Sequence, residues 1–277
     1  MIRSALLALA ALTLGGCRGA ARKPAPPPTA TATERDAPWS CGGVHGEARL
    51  ARTFGHDGRL KLGAIADLHG DVAEATRAAG VLTNERVDAI VALGDLGATE
   101  DEIANVLTAL ARAQRPLLAL AGETEAEDRF HAAVKRTRAT GVDIVDMVDL
   151  RVLDAGAVAI VSAPGYRYAL RGRGCRYSDA DLRELRAFVG QPKKPIVLVA
   201  HAPPRDEGVD GIDRGFGDTN LGDPALRELA TALSPAAALC AHVDEAGGRA
   251  HAPWLNIGTR VAVVEVANGR AQSRVLP

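Results

Sequence analysis

The segment LGAIADLHGD, residues 62–71, decides the fold. Its first five residues form an apolar run of the length that a buried strand needs, and Asp67 follows this run directly. Asp67 and His69 lie two positions apart, so their side chains point to the same side if the chain is extended. The segment therefore predicts a buried strand whose carboxyl end presents a carboxylate and an imidazole.

Four further apolar runs lead into polar residues in the same way. They span residues 89–93, 116–121, 195–200 and 236–241, and they lead into Asp95, Glu123, His201 and His242. Asp67, Asp95 and Glu123 are spaced by 28 positions, about one strand–helix–strand repeat. Between two of the runs, residues 103–110 place apolar side chains at helical spacing. Runs that alternate with helices predict an α/β fold with parallel strands.

Polar residues mark the starts of the predicted helices. A capping box pairs a Ser or Thr with an acidic residue three positions later, and a Pro after an Asp begins a helix in a similar way. Residues 150–161 and 261–276 predict hairpins. The predicted helix starts are Thr99 with Glu102, Thr124 with Glu127, Ser178 with Asp181, and Asp223 before Pro224.

The polar residues at the strand ends predict a metal centre. Ligands of open α/β sheets bind outside the carboxyl ends of the strands, so these side chains gather at one rim. Carboxylates that meet there repel one another unless cations neutralise them. His242 and Asp244 repeat the two-residue spacing of Asp67 and His69. Mixed carboxylate and imidazole ligands suit Mn, Fe or Zn better than Ca.

The order of these motifs resembles the calcineurin-like metallophosphoesterase family. That family has D-x-H, then G-D, then G-N-H followed by Glu or Asp, then a His at a strand end, then G-H-x-H. This chain has Asp67-Leu-His69, Gly94-Asp95, Gly122-Glu123-Thr124-Glu125, His201 and Ala241-His242-Val243-Asp244. The segment LNIGT, residues 255–259, looks like the terminal turn of the family.

The resemblance implies an α/β fold in which two mixed β-sheets are sandwiched between helices, four layers in all. It also implies two divalent metal ions, Mn, Fe or Zn, and hydrolysis of a phosphomonoester or phosphodiester. The substrate would be a phosphorylated small molecule or another phosphoester. One ion would be held by Asp67, His69 and Asp244, the other by Glu123, His201 and His242, and Asp95 would bridge them.

Three residues depart from the family pattern. Glu123 replaces Asn, Thr124 replaces a His in the catalytic position, and Asp244 replaces the last His. The two extra carboxylates make the centre less positive, which weakens its attraction for an anionic ester. A Thr cannot supply general acid catalysis at neutral pH, which is typically worth about 10²–10⁴-fold. Three functions stay open: a hydrolase with altered metal preference, a binding protein of this fold without turnover, and a purely structural lipoprotein domain.

The first forty residues predict that the protein is exported and that a linker attaches its folded domain to a membrane. Arg3 precedes an apolar run at residues 5–14, and the run ends in Leu-Gly-Gly-Cys17. This ending resembles a bacterial lipoprotein signal, which implies cleavage before Cys17 and its lipidation; the alternative is an ordinary signal peptide with a chance Cys. Arg18 is typical of sorting to the periplasmic side of the outer membrane. We therefore predict a signal peptide over residues 1–16, a Pro/Thr/Ala-rich linker over 17–40 and the phosphoesterase domain over 41–277.

The composition excludes several other classes. Lys and Arg number 33 against 34 Asp and Glu, and aromatics are 3%, so neither phosphate neutralisation nor base stacking on nucleic acid is favoured. No apolar run is long enough to span a bilayer.

The cysteines, two loops and the remaining histidines give further expectations. In an oxidising compartment Cys41 and Cys175 could pair, while Cys240 lies in an apolar run and is expected to be buried. The Arg- and Tyr-rich loop 165–178 suits a phosphate or a carboxylate, or is a solvated loop. The Asp- and Gly-rich loop 206–223 is a rim of the site or a plain surface loop. Four histidines are expected to be surface or structural: His45, His56, His131 and His251.

Overall fold

The short apolar runs form strands that are buried on both faces. The computed structural model describes residues 39–44, 48–54, 58–168, 174–191, 193–208 and 210–277. The predicted signal peptide and nearly all of the predicted linker lie outside the described residues. In the described part of the chain the strands are β1 (Trp39–Ser40), β2 (Arg49–Ala51), β3 (Arg59–Ile65), β4 (Ala89–Ala92), β5 (Leu117–Ala119), β6 (Ile144–Asp146), β7 (Val152–Asp154), β8 (Ala159–Ala163), β9 (Cys175–Arg176), β10 (Ile196–Ala200), β11 (Ala237–Cys240), β12 (Ala250–His251), β13 (Trp254–Asn256), β14 (Ala262–Ala267) and β15 (Arg270–Val275).

Helices connect the strands and cover the outer faces of the sheets. They are α1 (Val72–Asn84), α2 (Glu100–Leu110), α3 (Glu127–Ala139), α4 (Asp179–Val189) and α5 (Pro224–Leu233), with 3-10 turns at Ala111–Ala113, Phe216–Asp218 and Asp244–Ala246. The capping boxes at Thr99 and Ser178 are confirmed, and Asp223 caps α5 as predicted. None of the described helices has the length and apolarity needed to cross a membrane.

Two mixed sheets pack face to face. One sheet has the order β15-β14-β3-β4-β5-β6 and the other β12-β13-β11-β10-β8-β7-β2. β3, β4, β5 and β6 are parallel, as are β8, β10, β11 and β13, while both predicted hairpins form as antiparallel pairs. The fold expected from the resemblance is confirmed.

Side chains along each strand point alternately to the two faces of its sheet, and each face packs against a different layer. In β3, Leu60 and Leu62 face the core between the sheets, whereas Ile65 faces α1 and α2. A third apolar cluster lies between the second sheet and the helices α4 and α5. This order of helices, sheet, sheet and helices brings the carboxyl ends of strands from both sheets to one rim.

The cysteines pair as the sequence allows. Cys41 and Cys175 form a disulfide with their Cα atoms 5.3 Å apart, and Cys240 is free and buried. β1 and β9 pair in parallel beside this bond, so the last two residues of the predicted linker belong to a strand.

Candidate metal centre

The strand ends of both sheets supply the predicted ligands. Asp67, Asp95 and Glu123 follow β3, β4 and β5 of one sheet, and His201 and His242 follow β10 and β11 of the other. The backbone N–H of His242 donates to Asp67 Oδ2 at 3.1 Å across 175 positions of sequence. The residues therefore meet where strand ends of the two sheets face each other.

Glu123, His201 and His242 form the first group. Glu123 Oε2 lies 2.7 Å from His242 Nδ1 and 3.7 Å from His201 Nε2. His201 is fully buried, and its Nδ1 lies 2.9 Å from the carbonyl oxygen of Leu93, which leaves Nε2 facing the group. His201 Nε2 is buried without a hydrogen-bond partner. A buried, unpartnered imidazole nitrogen beside a carboxylate is the arrangement that a metal ligand needs.

Asp67, His69 and Asp95 form the second group, with ligand atoms within 4.8 Å of one another. Asp67 and Asp95 are buried, whereas His69 is exposed, so this group opens to solvent. Asp95 Oδ1 also lies 3.7 Å from His201 Nε2 of the first group. Asp95 therefore stands between the two groups, the place that the resemblance implies for a bridging ligand.

Among the described residues, Asp244 belongs to neither the first nor the second group. It begins the 3-10 turn Asp244–Ala246 and is exposed, two positions beyond His242. The structure thus brings together six of the seven predicted ligands and leaves Asp244 at the solvent side.

Thr124 does not cap a helix, and the predicted capping box with Glu127 is wrong. Helix α3 begins at Glu127 with Ala126 as its N-cap, and no side chain caps it. The backbone N–H and the hydroxyl of Thr124 instead donate to Asp95 Oδ1 at 3.0 and 3.1 Å. The hydroxyl is used by a carboxylate from another strand end, so Thr124 holds Asp95 in place.

Glu125 is a functional residue that the sequence reasoning named only as part of a motif. Its buried carboxylate accepts hydrogen bonds from the backbone N–H groups of Gly122, Asp95 and Leu96. Burial raises the pKa of Glu125 to about 8. These bonds tie the loop after β4 to the loop after β5, which fixes Asp95 relative to Glu123.

Glycine is required where these two loops cross. Gly94 has a φ of +99°, and a Cβ there would lie 2.6 Å from the backbone nitrogen of Gly122. The close approach lets Asp95 reach both ligand groups.

The charges in the centre favour a cation. Burial raises the pKa of Asp67 to about 6. Burial also opposes ionisation of Glu123, but the neighbouring imidazoles of His201 and His242 outweigh it and lower its pKa to about 2. In His201, the nearby Asp95 and Glu123 overcome burial and raise the pKa well above its ordinary value. The donor set fits divalent metal ions, because these carboxylates crowd together and a buried imidazole nitrogen lacks a partner.

Tyr166 packs against the centre, which the sequence did not reveal. Its ring centroid lies 4.2 Å from that of His242, and its hydroxyl donates to the carbonyl oxygen of Leu221 at 2.8 Å. The next residue, Arg167, donates to Asp223 at 2.9 Å and also pairs with Asp179. This part of the Arg-rich loop is therefore bound to carboxylates of the chain itself.

Two histidines expected to be merely surface or structural have carboxylate partners away from the centre. His131 Nδ1 lies 2.8 Å from Asp146 Oδ2, with Asp149 further off, and His251 Nδ1 lies 2.9 Å from Asp206 Oδ2. The first contact links helix α3 to strand β6, and the second links β12 to the loop that contains Asp206.

A model of the calcineurin-like phosphoesterase family matches residues 60–245. The chain belongs to this family. The matched residues contain all seven predicted ligands and Thr124. Phosphoester hydrolysis with a centre of two metal ions is the general chemistry of calcineurin-like phosphoesterases.

Solved structures share the fold of this phosphoesterase over most of the chain. The protein TT1561 of Thermus thermophilus superposes with a TM-score of 0.59 at 14% identity, covering 78% of this chain and 98% of its own. A dimetal phosphatase from Danio rerio superposes with a TM-score of 0.54 at 12% identity, covering 79% of this chain and 99% of its own. Identities this low establish the fold alone. A search of curated proteins gives no match.

Proposed function

We propose that this protein is a metal-dependent phosphomonoesterase or phosphodiesterase whose metal centre uses Glu123 and Asp244 as non-standard ligands. The observation that carries the proposal is His201, whose buried Nε2 has no hydrogen-bond partner and faces two carboxylates from different strands. The substrate is a phosphorylated small molecule or another phosphoester that reaches the open side of the rim.

The two groups divide the ligands between two divalent ions, Mn, Fe or Zn. Glu123, His201 and His242 would hold one ion, Asp67 and His69 would hold the other with Asp244 at the solvent side, and Asp95 would face both. Bound ions supply Lewis acidity toward the phosphoryl oxygens and lower the pKa of a water nucleophile.

The chain prepares its ligands for this role. The carbonyl oxygen of Leu93 accepts a hydrogen bond from Nδ1–H of His201, which leaves Nε2 to bind a metal ion. The ring of Tyr166 packs against the ring of His242, with the two centroids 4.2 Å apart. Thr124 orients Asp95 through two donors to one oxygen.

The charge of the ligands sets the expected substrate preference. With Asp67, Asp95, Glu123 and Asp244 ionised, four negative charges balance two divalent cations, whereas the usual set of the family leaves a net charge of +2. The neutral centre draws an anionic ester less strongly, and Thr124 offers no acid for the leaving group. Aryl phosphates, which have good leaving groups, should therefore react faster than alkyl phosphates.

The test compares wild-type protein with two histidine variants. Protein loaded with Mn²⁺, Fe²⁺ or Zn²⁺ is assayed on an aryl phosphate monoester, an aryl phosphate diester and an alkyl phosphate. We expect His201→Asn to lose metal binding and hydrolysis, while His251→Asn, which lies outside the candidate metal groups of the described residues, keeps both. Equal rates on aryl and alkyl esters would contradict the expected preference for good leaving groups, and His201→Asn activity equal to wild type would refute the assigned site.

A second function is favoured by the position of Thr124. Its hydroxyl is engaged with Asp95, so no acid stands where the family has its His. A metal-binding protein without turnover fits this arrangement. Tight binding of two ions per chain without hydrolysis of any aryl ester would select this function over the first.

We further propose that the protein is exported and anchored by lipid at Cys17 to the periplasmic side of the bacterial outer membrane. The support is the sequence around Cys17 and the Pro-rich segment that follows it. The Cys41–Cys175 disulfide agrees with folding in an oxidising compartment.

A further inference from the structure

The backbone at Gly174 lies directly against the metal-binding loop that carries Glu123. A Cβ at Gly174 would lie 1.6 Å from the carbonyl oxygen of Glu123, so no other residue fits without a shift of the backbone. The N–H of Cys175 donates to the carbonyl oxygen of Gly122 at 3.2 Å. Residues 174–175 therefore form one wall of the loop that aims the Glu123 carboxylate at His201 and His242.

This wall is attached to the beginning of the described chain. The disulfide joins Cys175 to Cys41, and the N–H of Cys41 donates to the carbonyl oxygen of Arg176 at 2.9 Å. β1 pairs in parallel with β9, with Trp39 opposite Cys175. A covalent bond and a short ladder thus hold residues 174–176 to residues 39–41.

Residues 41–42 are in turn fixed to the second sheet. Arg151 precedes β7 and is fully buried, and its guanidinium donates to the carbonyl oxygens of Cys41 at 3.1 Å and Gly42 at 2.9 Å. A Cβ at Gly42 would lie 2.3 Å from the Cβ of Tyr177. The contacts run without a gap from Arg151 through Cys41 and Cys175 to Gly174 and Glu123.

We propose that Gly174 and the Cys41–Cys175 disulfide are positioning elements for Glu123 and so set the metal affinity of the Glu123, His201 and His242 group. The inference rests on the proposed metal centre. It adds that the metal affinity depends on residues that are not themselves ligands. The second group is placed by β3 and β4 and by the bonds of Glu125, and it makes none of the contacts described for residues 174–176. Loss of the wall therefore weakens the ion site that contains Glu123 most, and reaches the second site only through Thr124 and the shared Asp95.

The experiment measures Mn²⁺ binding by calorimetry on purified wild-type protein and two variants. Cys41→Ala with Cys175→Ala removes the disulfide, and Gly174→Ala keeps it but displaces the Glu123 loop. Cys240→Ala and Gly80→Ala are the matched controls, because Cys240 is a free thiol and a Cβ at Gly80 meets nothing within 4 Å. Circular dichroism checks the fold of each variant, and Gly174→Ala carries the test if the disulfide variant is unfolded.

We expect wild-type protein to bind two ions, and both variants to bind one of them at least about tenfold more weakly, as outer ligand supports generally do. Faster hydrogen exchange at the amide of residue 175, which donates to the carbonyl oxygen of Gly122 in the Glu123 loop, should accompany the loss. Affinities that stay at the wild-type values in folded variants would overturn the positioning role. Weakening of both ions alike would also overturn it, whereas absence of binding in wild-type protein would refute the proposed metal centre itself.

Discussion

Ligand residues at this rim adopt left-handed backbone conformations. The φ angles are +53° at Asp67, +43° at His69, +53° at Asp95 and +67° at His242. Such conformations are uncommon for residues with a side chain and cost on the order of 1–3 kcal/mol each unless their surroundings enforce them. Here each turn redirects the chain within two to four residues of a strand end, which aims the side chain across the rim. Four of the nine described non-glycine residues with a positive φ therefore lie at the candidate site.

Thr124→Val should weaken metal binding because it removes the hydroxyl that donates to Asp95 Oδ1. The backbone N–H of residue 124 keeps its own bond to the same oxygen, so the loss is partial. We expect roughly tenfold lower Mn²⁺ affinity by calorimetry, the lower end of the range for outer ligand supports. Thr124→Ser retains the hydroxyl and should restore the affinity of the wild type.

The serine variant separates positioning from packing. A merely structural role for Thr124 would make Thr124→Ser, which loses a methyl group, at least as harmful as Thr124→Val, which keeps the volume. Valine binding Mn²⁺ as tightly as wild type would refute the role of the hydroxyl.

At the scale of the elements, helix α3 has no side-chain cap at its start, but a side-chain contact attaches it to a strand. The helix carries His131 two turns before its end, and His131 pairs with Asp146 at the end of β6. The hydrogen bond to Asp146 raises the pKa of His131 above its ordinary value, burial acts against it, and the charges of Asp146 and Asp149 add to the increase. The helix is thus held to its sheet by an ion pair that depends on pH.

The stability that this pair contributes should fall as the pH rises. A raised pKa in the folded state means that the contribution is complete below the unfolded value of about 6.5 and is lost as the pH passes the folded pKa. His131→Asn should therefore lower the free energy of unfolding at about pH 5.5, by up to about 1 kcal/mol, and change it less at about pH 9. Denaturant unfolding in the presence of a chelator measures both values.

The control for this prediction is Asp146→Asn, which removes the carboxylate that raises the pKa. In that background His131→Asn should have much the same effect at both pH values. A difference between wild type and His131→Asn that does not change with pH would contradict the assignment of the pair.

At the scale of the whole molecule, the sandwich of two sheets creates the centre. The clustered core between the sheets contains Leu62 of β3 and Val199 of β10, and it keeps the ends of these strands opposite each other. His201 meets Asp95 and Glu123 only because the sheets pack in this way. A ligand set drawn from the first sheet alone would contain Asp95 and Glu123 but neither His201 nor His242.

The proposed lipid anchor is a property of the whole protein. Full-length protein expressed in a Gram-negative host with labelled palmitate should carry the label and sediment with the outer membrane, as the proposed acylation of Cys17 requires. Cys17→Ser should lose the label and leave the membrane fraction. Cys240→Ala is the matched control and should keep both. Wild-type protein without label would contradict the lipoprotein assignment and favour an ordinary signal peptide.

The sequence by itself determined most strands of the two sheets, most helix starts and the six candidate ligand residues that the structure brings together. A buried strand produces a pattern of apolar residues that can be read from neighbouring positions, as in β3. Carboxylate and imidazole side chains that follow such a run can bind a metal ion in any fold. The capping boxes at Thr99 and Ser178 were predictable for the same reason, since their bonds span three positions. Interactions between residues that are close in sequence are sufficient to predict such features.

Only the tertiary structure decided what Thr124 binds, where Asp244 lies and which backbone supports Glu123. Thr124 has the sequence of a cap, but its hydroxyl reaches Asp95 at a distance of 29 positions, and that bond competes with any local one. Gly174 meets Glu123 across 51 positions (174 minus 123) through a contact that leaves no pattern in the sequence. Such contacts depend on how the two sheets and their loops pack, which no short window of residues specifies.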